Sequence, residues 1–150
     1  MNAKRILLAG IVGTAVMTML MLVAPVMGMP KMAIGEMLGS FLHIGTAAGW
    51  AMHFMIGVIL AAIYAAAFAA RLPGPAAVRG AVFGVGVFFV AQLVVTPMMG
   101  GEIFSGGDVL MIGGSLMGHL VYGGIIGAIY GVPATRQPVQ GLGLRSSAVR

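Results

Sequence analysis

The chain has 150 residues, of which 60% are hydrophobic and 7% charged, with a net charge of +5 and a mean hydropathy of +1.08. A soluble domain carries about 25% charged residues, so this composition excludes a water-soluble globule and turns most of the exterior toward lipid. The absence of cysteine excludes disulfides, thiolate metal sites and thiol nucleophiles together, and the basic residues, scattered singly or in pairs, make no patch for nucleic acid.

A single all-α membrane domain is expected over residues 1–132, followed by a mobile cytoplasmic tail at 133–150. Four apolar stretches reach the ~20 residues that a helix needs to cross a bilayer. The first, Ile6–Val26, follows Lys4 and Arg5 and so has the outline of a secretory signal. Its apolar run is about twice the usual length and no small-residue cleavage site follows, which makes it a retained helix. The connection from Gly28 to Gly45 is long and apolar. Pro30 suits the first position of a helix; Met37, Leu38, Phe41 and Leu42 form an apolar face, and Glu36, Ser40 and His43 the opposite one. This pattern predicts a short helix lying at the outer membrane interface. The remaining spans are expected at Thr46–Ala70, Ala76–Pro97 and Val109–Val132.

Orientation follows from the basic residues. Lys4, Arg5, Arg71, Arg79, Arg136, Arg145 and Arg150 fall on one side, against Lys31 alone on the other, where Glu36, Glu102 and Asp108 also lie. The positive-inside rule then places both termini and the connection after the second span in the cytoplasm.

The two halves of the chain resemble each other. Val23-x-Pro25-x-Met27-Gly28 recurs as Val95-x-Pro97-x-Met99-Gly100, and His53-x3-Gly57-x-Ile59-x2-Ala62-Ile63-Tyr64 as His119-x3-Gly123-x-Ile125-x2-Ala128-Ile129-Tyr130. With only three His and three Tyr in the chain, the shared His and Tyr carry most of the weight. Four helices as two tandem hairpins, related by a pseudo-twofold axis along the membrane normal, are expected. Small residues let helices approach closely in lipid, where apolar burial supplies no drive. Gly49, His53, Gly57 and Ala61 share one stripe of the second helix; Ser115, His119, Gly123 and Gly127 share one of the fourth. Both histidines therefore face the bundle interior, on stripes whose tight packing leaves little space.

An intramembrane ionisable residue is a functional candidate by default, so His53 and His119 lead. They can fasten the bundle by bonding across helices to a polar network of Thr14, Thr18, Gln92, Thr96, Ser115 and Tyr122. They can instead supply both axial ligands of a b-type haem, or a proton or ion path, although no carboxylate lies inside a span. Clustered thioethers select Cu(I), which makes Met27 and Met99, at the ends of the repeated Pro-x-Met-Gly segments, a metal candidate; gap filling between Gly-rich helices is the plainer role of the 14 methionines. Glu36, His43, Glu102 and Asp108 are candidates for an outer metal or partner site. Trp50 is expected as an interfacial anchor. No Ser–His–Asp or paired-carboxylate arrangement can be assembled, so a conventional hydrolytic enzyme is not expected.

The segments Pro25-Val26-Met27-Gly28-Met29-Pro30-Lys31-Met32, Gly49-Trp50-Ala51-Met52-His53-Phe54, Leu72-Pro73-Gly74-Pro75 and Gly118-His119-Leu120-Val121-Tyr122-Gly123 resemble a family of small bacterial four-helix inner-membrane proteins known only as a domain of unknown function. The resemblance runs from about Gly10 to Val132. It implies a bacterial inner-membrane location and carries no activity to transfer. The sequence thus points first to a structural or accessory membrane protein, alternatively to a bis-histidine b-haem electron carrier, and then to a small ion conductor. Its partners are the lipid bilayer and, through the Gly stripes, a homodimer or a larger membrane complex.

Overall fold

The computed structural model describes residues 2–131; the expected tail at 133–150 and Val132 lie outside them. Four helices long and apolar enough to cross a membrane occupy Ala3–Met27, Thr46–Phe68, Ala76–Met98 and Val109–Tyr130, joined to one short helix at Ile34–Phe41. No strand occurs among the described residues.

The boundaries have local causes. The first span starts a turn earlier than expected because the Asn2 side chain accepts from the Arg5 backbone N–H at 3.2 Å, an N-cap. It ends in a tight turn at Ala24–Met27 that Gly28 closes at φ +83°. The fourth span starts at Val109 because the Asp108 carboxylate accepts from the N–H groups of Leu110 and Met111, at 2.9 and 3.1 Å. Asp108→Ala is expected to lower stability by about 1 kcal/mol, and Asp108→Asn by much less, in reversible unfolding of the detergent-solubilised protein.

The second and third spans each contain one widened π turn, Tyr64–Phe68 and Ala91–Val95. The third has a direct cause. Pro97 has no N–H and its ring crowds the carbonyl one turn back, so the ladder before it opens. In the second, the loosened carbonyls find arginine donors: Arg71 Nη1 donates to Ala66 and Ala67 O (3.2 and 2.6 Å) and Arg79 Nη1 to Ala69 O (2.5 Å). Arg5 Nη1 donates to Tyr130 O at the end of the fourth span (3.4 Å). All three cations thus sit on helix C-termini, where the helix dipole favours them. They mark one end of the bundle, the Arg-rich end.

The helices pack in the order second, first, fourth, third. Gly80 and Gly84 of the third span lie against the backbone of Gly123, Gly127 and His119 in the fourth, and Gly10 of the first lies against Gly57 and Val58 of the second. The second and third spans meet closely only at the Arg-rich end, through the Tyr64–Phe68 turn. There Tyr64 packs on Phe83 (ring centroids 5.4 Å apart) and its hydroxyl reaches Ala76 O at 3.5 Å. Ile6, Ala9, Ala61, Tyr64, Phe83, Tyr122 and Ile126 form the buried core. Large apolar side chains such as Leu8, Met19, Leu22 and Val82 stay more than half exposed, the surface a bilayer would cover.

Two expectations change. The short helix begins at Ile34, not at Pro30, because the preceding segment crosses the end of the fourth span, where the Met29 and Met32 methyls lie beside Gly114. Its packed face is Gly35, Leu38 and Gly39, whereas Met37, Phe41 and Leu42 point outward. Gly49 and Trp50 are what it packs on: the Trp50 indole fills the space a side chain at Gly35 would need, so half-buried Trp50 holds the short helix in addition to any contact with the interface.

Candidate functional site

Since the second and third spans part company above Tyr64, a cavity of about 650 Å³ remains between them. It is floored toward the Arg-rich end by Thr14, Gly57, Leu60, Val87 and Tyr122, and rimmed at the opposite end by Lys31, Met37, Met99, Glu102 and Ser105. Its walls are apolar apart from a few side chains, the usual composition of a small-molecule site in a bundle. Both histidines line it, together with Thr14, Gln92, Thr96, Ser115 and Tyr122. The expectation that tight packing leaves the histidines little space is thereby overturned. Close packing holds along Gly80, Gly84, Gly123 and Gly127 behind His119, and the space opens in front of it.

The polar network is only partly made. His119 Nδ1 donates to the Ser115 carbonyl within its own helix at 2.7 Å. A carbonyl can only accept, so the proton is on Nδ1 and Nε2 of the neutral ring presents a lone pair. The ring is steadied edge-on by Phe88 at 5.9 Å. His53 sits between Trp50 and Phe54, at 5.9 and 6.1 Å, and its Nε2 is buried without a partner. Neither histidine bonds across helices, as the fastening role required. Gln92 Nε2 donates to Ser115 Oγ at 3.1 Å, while its Oε1 is left without a partner. The hydroxyls of Thr14 and Thr18 are also buried and unpartnered; Thr18 is not on the cavity. Tyr122 makes a second cross-helix bond of the set beside that of Gln92 and Ser115, its hydroxyl donating to Gly57 O at 2.5 Å. Buried polar atoms are normally satisfied, and three residues that line this one cavity each hold an orphan (His53 Nε2, Gln92 Oε1 and Thr14 Oγ1).

The outer candidates are not gathered. Glu36 pairs with Lys31 at 3.2 Å on the surface, Asp108 caps the fourth span, His43 is exposed at φ +56° beyond the short helix, and Glu102 stands at the cavity rim. Among the described residues no three His, Asp or Glu side chains come together as a metal site. Met99 lines the cavity and Met27, 77% exposed, does not. Met17, beside Gly118, fits the gap-filling role.

Two features escaped the sequence. Gln92 lies in the widened turn of the third span, a place where such turns often serve function; Pro97, one turn on, was the signal. At the rim, Phe104 and Ser105 hold left-handed conformations at φ 48° and 50°, which cost roughly 1 kcal/mol each for residues with a Cβ. Phe104 is held there by Phe88 and Phe89, at 6.1 and 6.2 Å.

No curated protein and no solved structure matches the chain. A family model described as a family of unknown function (DUF6789) matches residues 2–140, nearly the whole of the helical domain and its flanks, and this chain belongs to that family.

Proposed function

We propose that this protein is an accessory component of the bacterial inner membrane that holds a small, largely apolar ligand in the cavity between its second and third spans. The observation that carries the reading is that His53 and His119 line one cavity, His53 with a buried Nε2 that no protein group satisfies and His119 with its Nδ1–H committed to a carbonyl, which leaves Nε2 an acceptor. The Arg-rich end is cytoplasmic, as the distribution of Lys and Arg supports, so the short helix lies at the outer interface and the rim of the cavity faces outward. The two halves are tandem hairpins, and their pseudo-twofold is broken at one place. The first span packs on the fourth, whereas the corresponding third and second spans meet only at one end, and that asymmetry makes the cavity.

Mass spectrometry of the protein released from detergent micelles tests this reading. Wild type should carry an added mass that Ala91→Phe, which fills the cavity wall, loses without unfolding. Two bare proteins of equal stability would overturn it.

A second reading has its own support, that the ligand is a b-type haem. A histidine whose Nδ1–H is pinned to a carbonyl turns Nε2 to a metal in a fixed orientation, and His53 lines the same cavity as a second imidazole. A dithionite-reduced minus oxidised spectrum of protein from haem-supplied cells should then show a b-type band absent in His53→Ala and in His119→Ala. A flat spectrum removes haem and leaves the cavity to another ligand. The conductor reading draws no support, since the cavity lining stops at Tyr122 and Leu60 and the packed core of Tyr64, Phe83 and Ile126 lies beyond.

A further inference from the structure

Resting on the reading of the cavity as a ligand site, we infer that its ligand is a membrane-dissolved amphiphile with a hydroxyl head, which enters sideways from the bilayer between the second and third spans. Two independent observations lead there. The first concerns the route. Val90 and Val95 are 55% and 42% exposed on the outside of the third span, yet both line the cavity. Their neighbours Phe89, Leu93 and Val94, which do not line the cavity, are 46%, 47% and 49% exposed, so the cavity wall at Val90 and Val95 borders the outer surface of this span. That surface belongs to a helix of mean hydropathy 2.0 that is long enough to span the membrane, so the medium at the slit is lipid tails. Ile56 and Leu60, half buried, face the same cavity from the second span. A tail can therefore leave the cavity into the bilayer without crossing water.

The second observation concerns the head. Gln92 and Thr14 are 4% and 1% exposed, both line the cavity, and each has a buried oxygen with no protein partner. Gln92 commits its amide N–H to Ser115 Oγ, so its free Oε1 can only accept. His119 commits Nδ1–H to the Ser115 carbonyl, so its Nε2 likewise accepts. Gln92 Oε1 lacks a donor and His119 Nε2 can take one, and an aliphatic tail, ether or ester has none to give. Thr14 Oγ1 can donate or accept. A hydroxyl, aliphatic or phenolic, both donates and accepts, and so matches this set. A carboxylate would bring only acceptors and a net charge to a cavity whose one lining cation, Lys31, already pairs with Glu36.

The test uses the full chain in proteoliposomes with a diazirine-tagged hexadecanol and, separately, its methyl ether, followed by mapping of the crosslinked peptides. The alcohol should label the second-span segment around Ile56–Leu60 and the third-span segment around Val87–Val95. The ether should label them about tenfold less, and Gln92→Leu and His119→Leu should each bring the alcohol down toward the ether. Labelling by a tagged alkylphenol at these positions would support the same assignment. Equal labelling by alcohol and ether overturns the hydroxyl head. Labelling confined to the outer lipid-facing residues overturns the assignment as a whole.

The chain has no cysteine, so one added thiol separates this inference from the reading beneath it. Ala91→Cys should react with a lipid-soluble maleimide, be protected by hexadecanol, and resist a membrane-impermeant thiosulfonate. Reaction with the impermeant reagent and no protection would mean a cavity filled from water, which overturns lateral entry and keeps the ligand cavity. Reaction with neither reagent would overturn both.

Discussion

Gly80→Ala should cost about 3 kcal/mol or more, whereas Gly86→Ala on the same helix should be neutral or slightly stabilising. A Cβ at Gly80 would run into the Gly123 carbonyl oxygen and lie 2.7 Å from Gly127 Cα. The obstacles are backbone on both sides, so no side chain can rotate away and the third and fourth spans must separate. Overpacking against movable side chains costs about 1–3 kcal/mol, and a backbone obstacle places this site at or beyond the upper end. Helices in lipid gain no hydrophobic drive for association and hold together by close contact, so separating this pair removes the interaction that keeps the bundle together. At Gly86 nothing lies within 4 Å of the added Cβ, and Ala is favoured over Gly inside a helix by about 0.5–1 kcal/mol. Denaturant titration in mixed micelles reads both variants. Equal losses at the two positions would mean that glycine contributes through its backbone freedom and not through contact.

The contrast between Gly80 and Gly86 also marks how far the sequence could be read. Span number and approximate ends were legible because bilayer thickness sets helix length, and composition alone required lipid around the chain. Glycines four residues apart marked the fourth span as fit for close approach, and the structure shows that its partner there is the third. The sequence could not say which of several stripes each helix would use. Gly49 belongs to the same stripe as Gly57, yet it serves the short helix at Ile34–Phe41, while Gly57 serves the first span. Nor could it reveal a gap. The histidines stood out in the sequence as intramembrane ionisable residues, but a Gly-rich stripe argues for contact, and the cavity exists because Tyr64, Phe68 and Phe83 prop the second and third spans at one end only. That is a relation among three aromatic side chains on two helices, and periodicity along one helix carries no trace of it. Pro97 did announce a deformed helix, and its consequence, the widened turn that carries Gln92, became evident only in three dimensions.

The floor of the cavity provides the second large effect, and here the expected signature is coupling. The space a Cβ at Gly57 would need is already occupied by Thr14 Oγ1, and the Gly57 carbonyl is where the Tyr122 hydroxyl donates at 2.5 Å. One glycine thus seats two polar side chains, from the first and fourth spans, at the base of the cavity. Gly57→Ala should destabilise by about 2–3 kcal/mol. Thr14→Ala by itself removes a buried hydroxyl that makes no hydrogen bond, so it should cost little. In the double variant the obstructing oxygen is gone and the added methyl meets Thr14 Cβ at 3.1 Å, a contact that a shift of a few tenths of an ångström relieves. Most of the loss should then be recovered, giving an interaction term of about 2 kcal/mol, well above the few tenths expected for independent sites. Additive losses would instead mean that Gly57 is needed for the approach of Val58 to Gly10, one turn away on the same face. Because Thr14→Ala leaves the fold intact while removing one of the three orphan atoms held by cavity-lining residues, it also separates what the floor does for stability from what it offers a ligand.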